Sequence, residues 1–335
     1  MNAIGVVGAG SWGTALAHLL ARKGHDVHLW SYEKDVAAAI NDRHENSIYL
    51  PGVELPRRLV ATTDIADAVS GAPVVVSVSP SQHVSRVMAG AAEHLDPGAL
   101  VVSASKGIET SSLRTMAEVL DATLPPAIAH SACFLSGPSF AAEVAREVPT
   151  AVAVASEDES AARRVQELFQ TSYFRVYTVA DVTGVELGGA LKNVVAIASG
   201  MAVGLGLGHN TQAALITRGL AEIARLGTAL GADPLTFSGL AGMGDLILTC
   251  TGGLSRNRSV GVELGKGRSL EDILGEMRMV AEGVDTTRAT HRLAAREGIE
   301  MPIVAEVHAV LFEGRSPNEA MRNLMLRDPK PERWT

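Results

Sequence analysis

The stretch Gly8-Ala9-Gly10-Ser11-Trp12-Gly13 constrains this chain more than any other feature. It lies between the apolar run AIGVVG and the alanine- and leucine-rich TALAHLLARKG, which Gly24 ends. Glycine loses the most conformational freedom on folding, so three in six positions need a reason. G-x-G-x-x-G between a strand and a helix supplies one. Gly8 allows a tight turn, Gly10 lets a pyrophosphate approach bare backbone, and Gly13 lets the helix pack close to the strand. The amides at the helix N-terminus then face negative charge. A glycine turn with no ligand is the competing reading, and the strand before and helix after favour a dinucleotide.

The first half continues in the same style. DVHLW, VVVSVS (74–79), LVVSAS (100–105), PTAVAVAS (149–156) and FRVYT (174–178) read as further strands. Runs apolar on both faces and separated by helical segments predict a parallel sheet covered on both sides. After about residue 180 the pattern changes. The segments 185–206, 211–231 and 269–280 (SLEDILGEMRMV) read as helices, and no comparable Val-rich run remains. The expected fold is α/β. A Rossmann-like doubly wound parallel sheet forms an NAD(P)-binding domain over residues 1–180. An all-α domain for substrate and catalysis follows over 181–335, packed directly against the first.

Composition narrows the class. A net charge of −8 argues against nucleic-acid binding, which needs a basic face. Aromatic residues are only 4%, so the core must be built from Ala, Val, Leu and Ile. Cys133 and Cys250 form no disulfide framework, and neither they nor the histidines show metal-ligand spacing, so no metal is expected. No basic segment precedes the first apolar run, which therefore does not read as a signal peptide. The run at 194–208 is too short and glycine-rich for a membrane span and directly follows Lys192 and Asn193. A cytoplasmic protein that is not integral to a membrane is expected, and the apolar second half leaves room for a homodimer.

Isolated charges are the second signal. From Leu187 to Thr217 the only formal charge is Lys192; from Leu235 to Ser255 it is Asp245. An unpaired charge in such surroundings costs several kcal/mol. Pairing the two satisfies both and leaves a lysine whose pKa can be tuned for proton transfer. A lysine that reaches the surface, or a purely structural ion pair, stands as the alternative. Lys106 follows LVVSAS, at the carboxyl end of a predicted central strand, the edge where open α/β sheets bind ligands. Ser255-Arg256-Asn257-Arg258 follows a glycine pair and reads as a loop offering donors to a phosphate or carboxylate. After the second strand the order Leu29-Trp30-Ser31-Tyr32-Glu33-Lys34 gives a mixed signal. The choice between NAD and NADP therefore stays open.

The blocks GAGSWGTALA, NSIYLPG, SASKGIE, LSGPSFAAEVA, GVELGGALKNVVAIASG, LAGMGDLILTC, SRNRSVG and VAEGV lie in order between residues 8 and 284. Through them the chain resembles bacterial NAD(P)-dependent glycerol-3-phosphate dehydrogenases. The resemblance implies hydride exchange between NAD(P)H and dihydroxyacetone phosphate, giving sn-glycerol 3-phosphate for phospholipid synthesis. It implies Lys192 as general acid with Asp245 as partner. Lys106, Gly137, Ser139, Asn193, Thr249, Ser255, Arg256 and Asn257 are implied on the substrate side. Gly8, Gly10, Ser11, Trp12, Gly13, Tyr32, Lys106, Ala141, Arg256, Val280 and Glu282 are implied around the cofactor. Many members carry Arg after the second strand where this chain has Tyr32, which weakens an NADP expectation. A β-hydroxyacid dehydrogenase and a non-catalytic dinucleotide sensor are the rival readings of the same two-part design.

Overall fold

The computed structural model describes residues 3–332. Eight strands form one sheet: β1 (Ile4–Val7), β2 (Val27–Trp30), β3 (Leu59–Thr62), β4 (Val74–Ser77), β5 (Leu100–Ser103), β6 (Cys133–Ser136), β7 (Thr150–Ala155) and β8 (Phe174–Val179). Their order is β3-β2-β1-β4-β5-β6-β7-β8. The first six pair in parallel, with Val6 opposite Leu29 on one side of β1 and opposite Val76 on the other. This is the doubly wound order, with its reversal between β1 and β4.

The all-parallel expectation fails at one place. β7 runs antiparallel to β6, with Leu135 opposite Val154, and β8 then follows β7 in parallel. β3 and β6, each four residues long, were not anticipated from the sequence. LVAT alternates buried and exposed, and CFLS is buried throughout but short. Two aliphatic cores cover the sheet, one built around Leu16, Leu20 and Val76 and the other around Val75, Met88 and Leu120.

The described chain after β8 is helical. The helix Val182–Gly204 is buried almost all round, which is why its sequence is apolar on every face. By length and composition it could cross a membrane, yet 89% of its most apolar window is buried inside the protein. The helices His209–Ala229, Asp245–Thr251, Arg256–Gly265 and Gly283–Glu297 pack against it. The helix Arg256–Gly265 approaches with no room for side chains between. A Cβ on Gly200 would strike the Arg258 carbonyl oxygen, and one on Gly261 would strike that of Ile197. These two glycines set the register between the two helices.

The helix expected over 269–280 is shorter. It spans Leu270–Glu276, and the chain turns extended at Met277 (φ −85°, ψ 124°). Tertiary bonds hold the departing segment, as described below.

Candidate active site

A cleft of about 810 Å³ opens at the carboxyl ends of β1 and β4 and runs to the helical half. Open α/β sheets bind ligands at this edge. Gly8 has φ +127°, with its backbone against Val78 and Ser79, and a Cβ on Gly13 would collide with the Gly8 carbonyl oxygen. Gly10 differs: a Cβ there would meet no protein atom within 4 Å. Its backbone faces open cleft at the N-terminus of the helix Ser11–Arg22. Trp12 lines the cleft, and its buried indole N–H has no partner among the described residues. Open backbone at Gly10, a helix N-terminus and a spare N–H donor fit a dinucleotide diphosphate.

The helical half brings in charge. Lys192 and Asn193 lie on adjacent positions of the helix Val182–Gly204 and are both buried. The π-helical turn Leu240–Gly244 leads into the helix Asp245–Thr251, so Asp245 begins that helix, where a carboxylate is favoured. Gly188, one turn before Lys192, lets this segment come close, since a Cβ there would press on the Ala241 carbonyl. Lys192 Nζ donates to Asp245 Oδ1 at 2.5 Å and to Thr249 Oγ1 at 2.9 Å. Lys106, three residues beyond β5, donates from the other side, at 2.7 Å to Asp245 Oδ2 and 3.0 Å to the Gly137 carbonyl. One carboxylate thus bridges two ammonium groups, one from each half of the chain. The Asp245 side chain is only 2% exposed.

Burial favours the neutral form of the Asp245 carboxyl, but Lys106 and Lys192 outweigh it and hold the group below its ordinary value. Burial pulls the Lys192 ammonium down to about 8, with Lys106 adding to the effect and Asp245 opposing it. The cluster carries one net positive charge and contains an amine able to exchange a proton near neutral pH.

A third group closes the cleft. Ser255-Arg256-Asn257 does not form the expected loop. Ser255 caps the helix Arg256–Gly265, its Oγ accepting from the Arg258 amide at 3.2 Å. The hydroxyl satisfies one of the helix's free amides, and Arg256 and Asn257 form the first turn. Arg256 Nη1 donates to the Val280 carbonyl at 2.8 Å, and Asn257 Oδ1 accepts from the Gly283 amide at 2.9 Å. These two bonds hold the extended segment after Met277. The segment crosses to the glycine turn, where Ser11 Oγ donates to Met279 Sδ at 3.3 Å. It ends at Glu282, whose carboxylate accepts from the Ser81 hydroxyl at 2.6 Å and from the Ser81 amide.

Of the residues singled out in the sequence, the cleft is lined by Gly8, Gly10, Ser11, Trp12, Gly13, Tyr32, Lys106, Ser139 and Ala141. Lys192, Asn193, Asp245, Thr249, Ser255, Arg256, Asn257, Val280 and Glu282 line it too. Gly137 does not. It holds φ +139° behind the wall, and its carbonyl accepts from Lys106 and from Ser139 Oγ. Tyr32 sits at the rim, 76% exposed, edge-on to Trp30. Sequence reasoning missed Tyr49, Ser81, Arg86 and Met279. Only Tyr49 carried a signal, as a polar aromatic within NSIYLPG.

Two family models match the chain. NAD-dependent glycerol-3-phosphate dehydrogenase N-terminus covers residues 3–162, and the corresponding C-terminus covers 181–322. The chain is 59% identical over 330 residues to a glycerol-3-phosphate dehydrogenase [NAD(P)+] of Geobacter metallireducens, with 98% of each chain covered. It is 58% identical to one from Geobacter sulfurreducens, with 99% of each covered. Among solved structures it is similar to a glycerol-3-phosphate dehydrogenase from Coxiella burnetii, at TM-score 0.93 and 39% identity, over 97% of this chain and 99% of that one.

Proposed function

The chain belongs to the NAD-dependent glycerol-3-phosphate dehydrogenase family, and from that membership we propose how its cleft divides the work of the reaction. The protein is an NAD(P)-dependent oxidoreductase that interconverts dihydroxyacetone phosphate and sn-glycerol 3-phosphate, a reaction of lipid metabolism. The nicotinamide cofactor supplies a hydride to the carbonyl carbon or takes it back. The remaining tasks fall to the protein.

Gly8, Gly10 and Gly13, with Ser11 and Trp12, receive the diphosphate. Tyr32, Ala141, Val280 and Glu282 flank the cofactor. Arg256 and Asn257, at a helix N-terminus, clamp the substrate phosphate, and Ser255 caps that helix. Holding the phosphate fixes the distant ketone in line for transfer. As hydride arrives, negative charge grows on the carbonyl oxygen. Lys192 Nζ lies beside that oxygen, stabilises the charge and gives up one proton to it, becoming a neutral amine. Asp245 holds Lys192 in place, and Lys106 adds positive charge beside the substrate. Asn193, Thr249, Ser139 and the Gly137 backbone shape the hydroxyl and carbonyl pocket. In the reverse direction the neutral amine takes the hydroxyl proton.

The observation that carries this reading is the Lys192–Asp245–Lys106 cluster in the same cleft as the glycine turn. A dinucleotide sensor has no use for an ionisable pair there. The division of the chain at residue 180 into a nucleotide domain and a helical domain is part of the proposal, supported by the gap between β8 and the helix beginning at Val182. A homodimer and a cytoplasmic location are proposed as well. The exposed Leu235, Met243 and Ile247 support the former, which light scattering on the eluted protein tests.

The deciding assay follows absorbance at 340 nm with NADH or NADPH and three substrates. Dihydroxyacetone phosphate is consumed, while unphosphorylated dihydroxyacetone and a 3-oxo acid are reduced far more slowly. Equal rates with and without the phosphate contradict the clamp. Preference for the 3-oxo acid contradicts the substrate.

A further inference from the structure

The two dinucleotides differ at the adenosine ribose, where NADPH carries a 2′-phosphate and NADH a hydroxyl. In a doubly wound sheet this ribose lies at the carboxyl end of β2, where an acid bonds the free hydroxyl and a cation meets the phosphate. β2 ends at Trp30, and Trp30, Tyr32 and Glu33 of the following turn line the cleft. Lys34 is exposed and does not line it.

Glu33 is fixed in that position. It is extended at the N-cap of the helix Lys34–Arg43 but makes no capping bond with its side chain. Its Oε1 accepts instead from the Tyr49 hydroxyl at 2.8 Å, while its backbone carbonyl accepts from Ser31 Oγ. Tyr49 is in turn tied to the glycine turn. Its amide donates to Asn46 Oδ1, and the buried Asn46 Nδ2 donates to the Ala9 carbonyl and to Thr14 Oγ1, both at 2.9 Å. A carboxylate is therefore held at a set place relative to the residues that receive the diphosphate. Burial and the Glu33 carboxylate push the Tyr49 hydroxyl up to about 12, so it stays a donor across the working range.

We propose that Glu33, braced by Tyr49 and through it by Asn46, selects NADH over NADPH by accepting from the ribose 2′-hydroxyl and repelling a 2′-phosphate. This rests on the dinucleotide reading of the cleft and adds to it the choice of cofactor. Like charges placed together at a recognition site are a recurrent way of excluding a near-identical ligand. Among the described residues that line the cleft, Arg86 and Arg278 add cations; Arg86 comes from the helix Val84–Ala92 after β4, on the other side of β1 from β2, and Arg278 from the segment that follows Met277. The same proposal gives Arg86, on the β4 side, a contact common to both cofactors rather than one to the 2′-position.

Direct titration of the protein with NADH and with NADPH, read by nicotinamide fluorescence, tests this without any turnover. NADH should bind at least about tenfold more tightly. Glu33→Gln keeps an acceptor for Tyr49 and removes the charge, so the ratio of the two dissociation constants should fall to within about threefold. Arg86→Ala should weaken both cofactors alike. Equal or tighter NADPH binding by the unmutated protein overturns the proposal. So does an unchanged ratio in Glu33→Gln, or a selective loss of NADPH in Arg86→Ala. Selective NADH binding without reduction of dihydroxyacetone phosphate leaves this inference standing and removes the substrate reading instead. Failure to bind either dinucleotide defeats both.

Discussion

The two walls of the cleft achieve recognition by different means. On the sheet side the working parts are backbone: a left-handed Gly8, an open Gly10 and the amides of one helix start. On the helical side they are charges buried in apolar helices: Asp245 is satisfied by Lys192 and Lys106, and Lys192 by Asp245 and Thr249. A backbone site is local, since six consecutive residues contain it. A charge site is assembled from residues 53 positions apart, and from a third in the other half of the chain. The first can be disabled without disturbing the fold. The second is bound up with the packing that buries it.

Substitution at Gly10 should give the largest effect and sharpen this contrast. Gly10 has φ −69° and ψ −177°, which any residue adopts, and its Cβ would meet open space. Gly10→Val should fold with an unchanged melting temperature yet lose NADH affinity by at least about 100-fold, through overlap with the diphosphate. Normal NADH binding by this variant, in the same fluorescence titration, would break the backbone half of the comparison.

Arg256→Ala comes next. A hydrogen bond to a charged group contributes about 1.5–3 kcal/mol, so KM for dihydroxyacetone phosphate should rise roughly 10- to 100-fold. Reduction of unphosphorylated dihydroxyacetone should change much less. Initial rates with both substrates check this, and a parallel loss on both would place Arg256 elsewhere in the mechanism.

The pH profile follows. The group needed for reduction is the protonated amine, and the Lys192 value is about 8. The kcat/KM for ketone reduction should therefore be level well below pH 8 and fall about tenfold per unit well above it, while that for alcohol oxidation rises through the same range. A profile level to pH 10 would contradict the assignment.

The smallest effect concerns a half-buried carboxyl outside the cleft. Glu186, on the same helix as Lys192, accepts from the Ala117 amide at 2.7 Å, at the start of the helix Met116–Thr123. Burial pushes its carboxyl up to about 8. A raised acid contributes stability that is complete below its unfolded value near 4.5 and is lost as pH rises through about 8. Glu186→Gln keeps an acceptor and should become more stable relative to the unmutated protein between pH 5 and pH 8, with little change in activity. Thermal melts at the two pH values read the difference. A variant that loses ground as pH rises would reverse the sign.

The same contrast explains what could be read from the sequence. The glycine turn, the strands β1, β2, β4, β5, β7 and β8, and the long apolar helices follow from local pattern, and the parallel, doubly covered character of most of the sheet follows from their alternation. Lys192 and Asp245 stood out because each is alone in an apolar run. Other features depend on contacts between distant segments and leave no local trace. The Asp245 bridge to Lys106, the Ser81–Glu282 bond and the Glu33–Tyr49–Asn46 chain join elements that only the folded chain brings together. The segment 277–280 read as helix because its composition permits one. The bonds from Arg256 and Asn257 draw it across the cleft instead. The reversal between β6 and β7 is likewise set by how the chain returns, not by the strands' own residues.

The most direct test of the central claim is the turnover of Lys192→Ala at saturating NADH and dihydroxyacetone phosphate, measured with and without added ethylamine. A lost general acid predicts a rate at least about a hundredfold lower, NADH binding largely intact, and partial recovery with the amine. A variant within threefold of the unmutated enzyme, indifferent to the amine, would show that the buried lysine is not the proton donor.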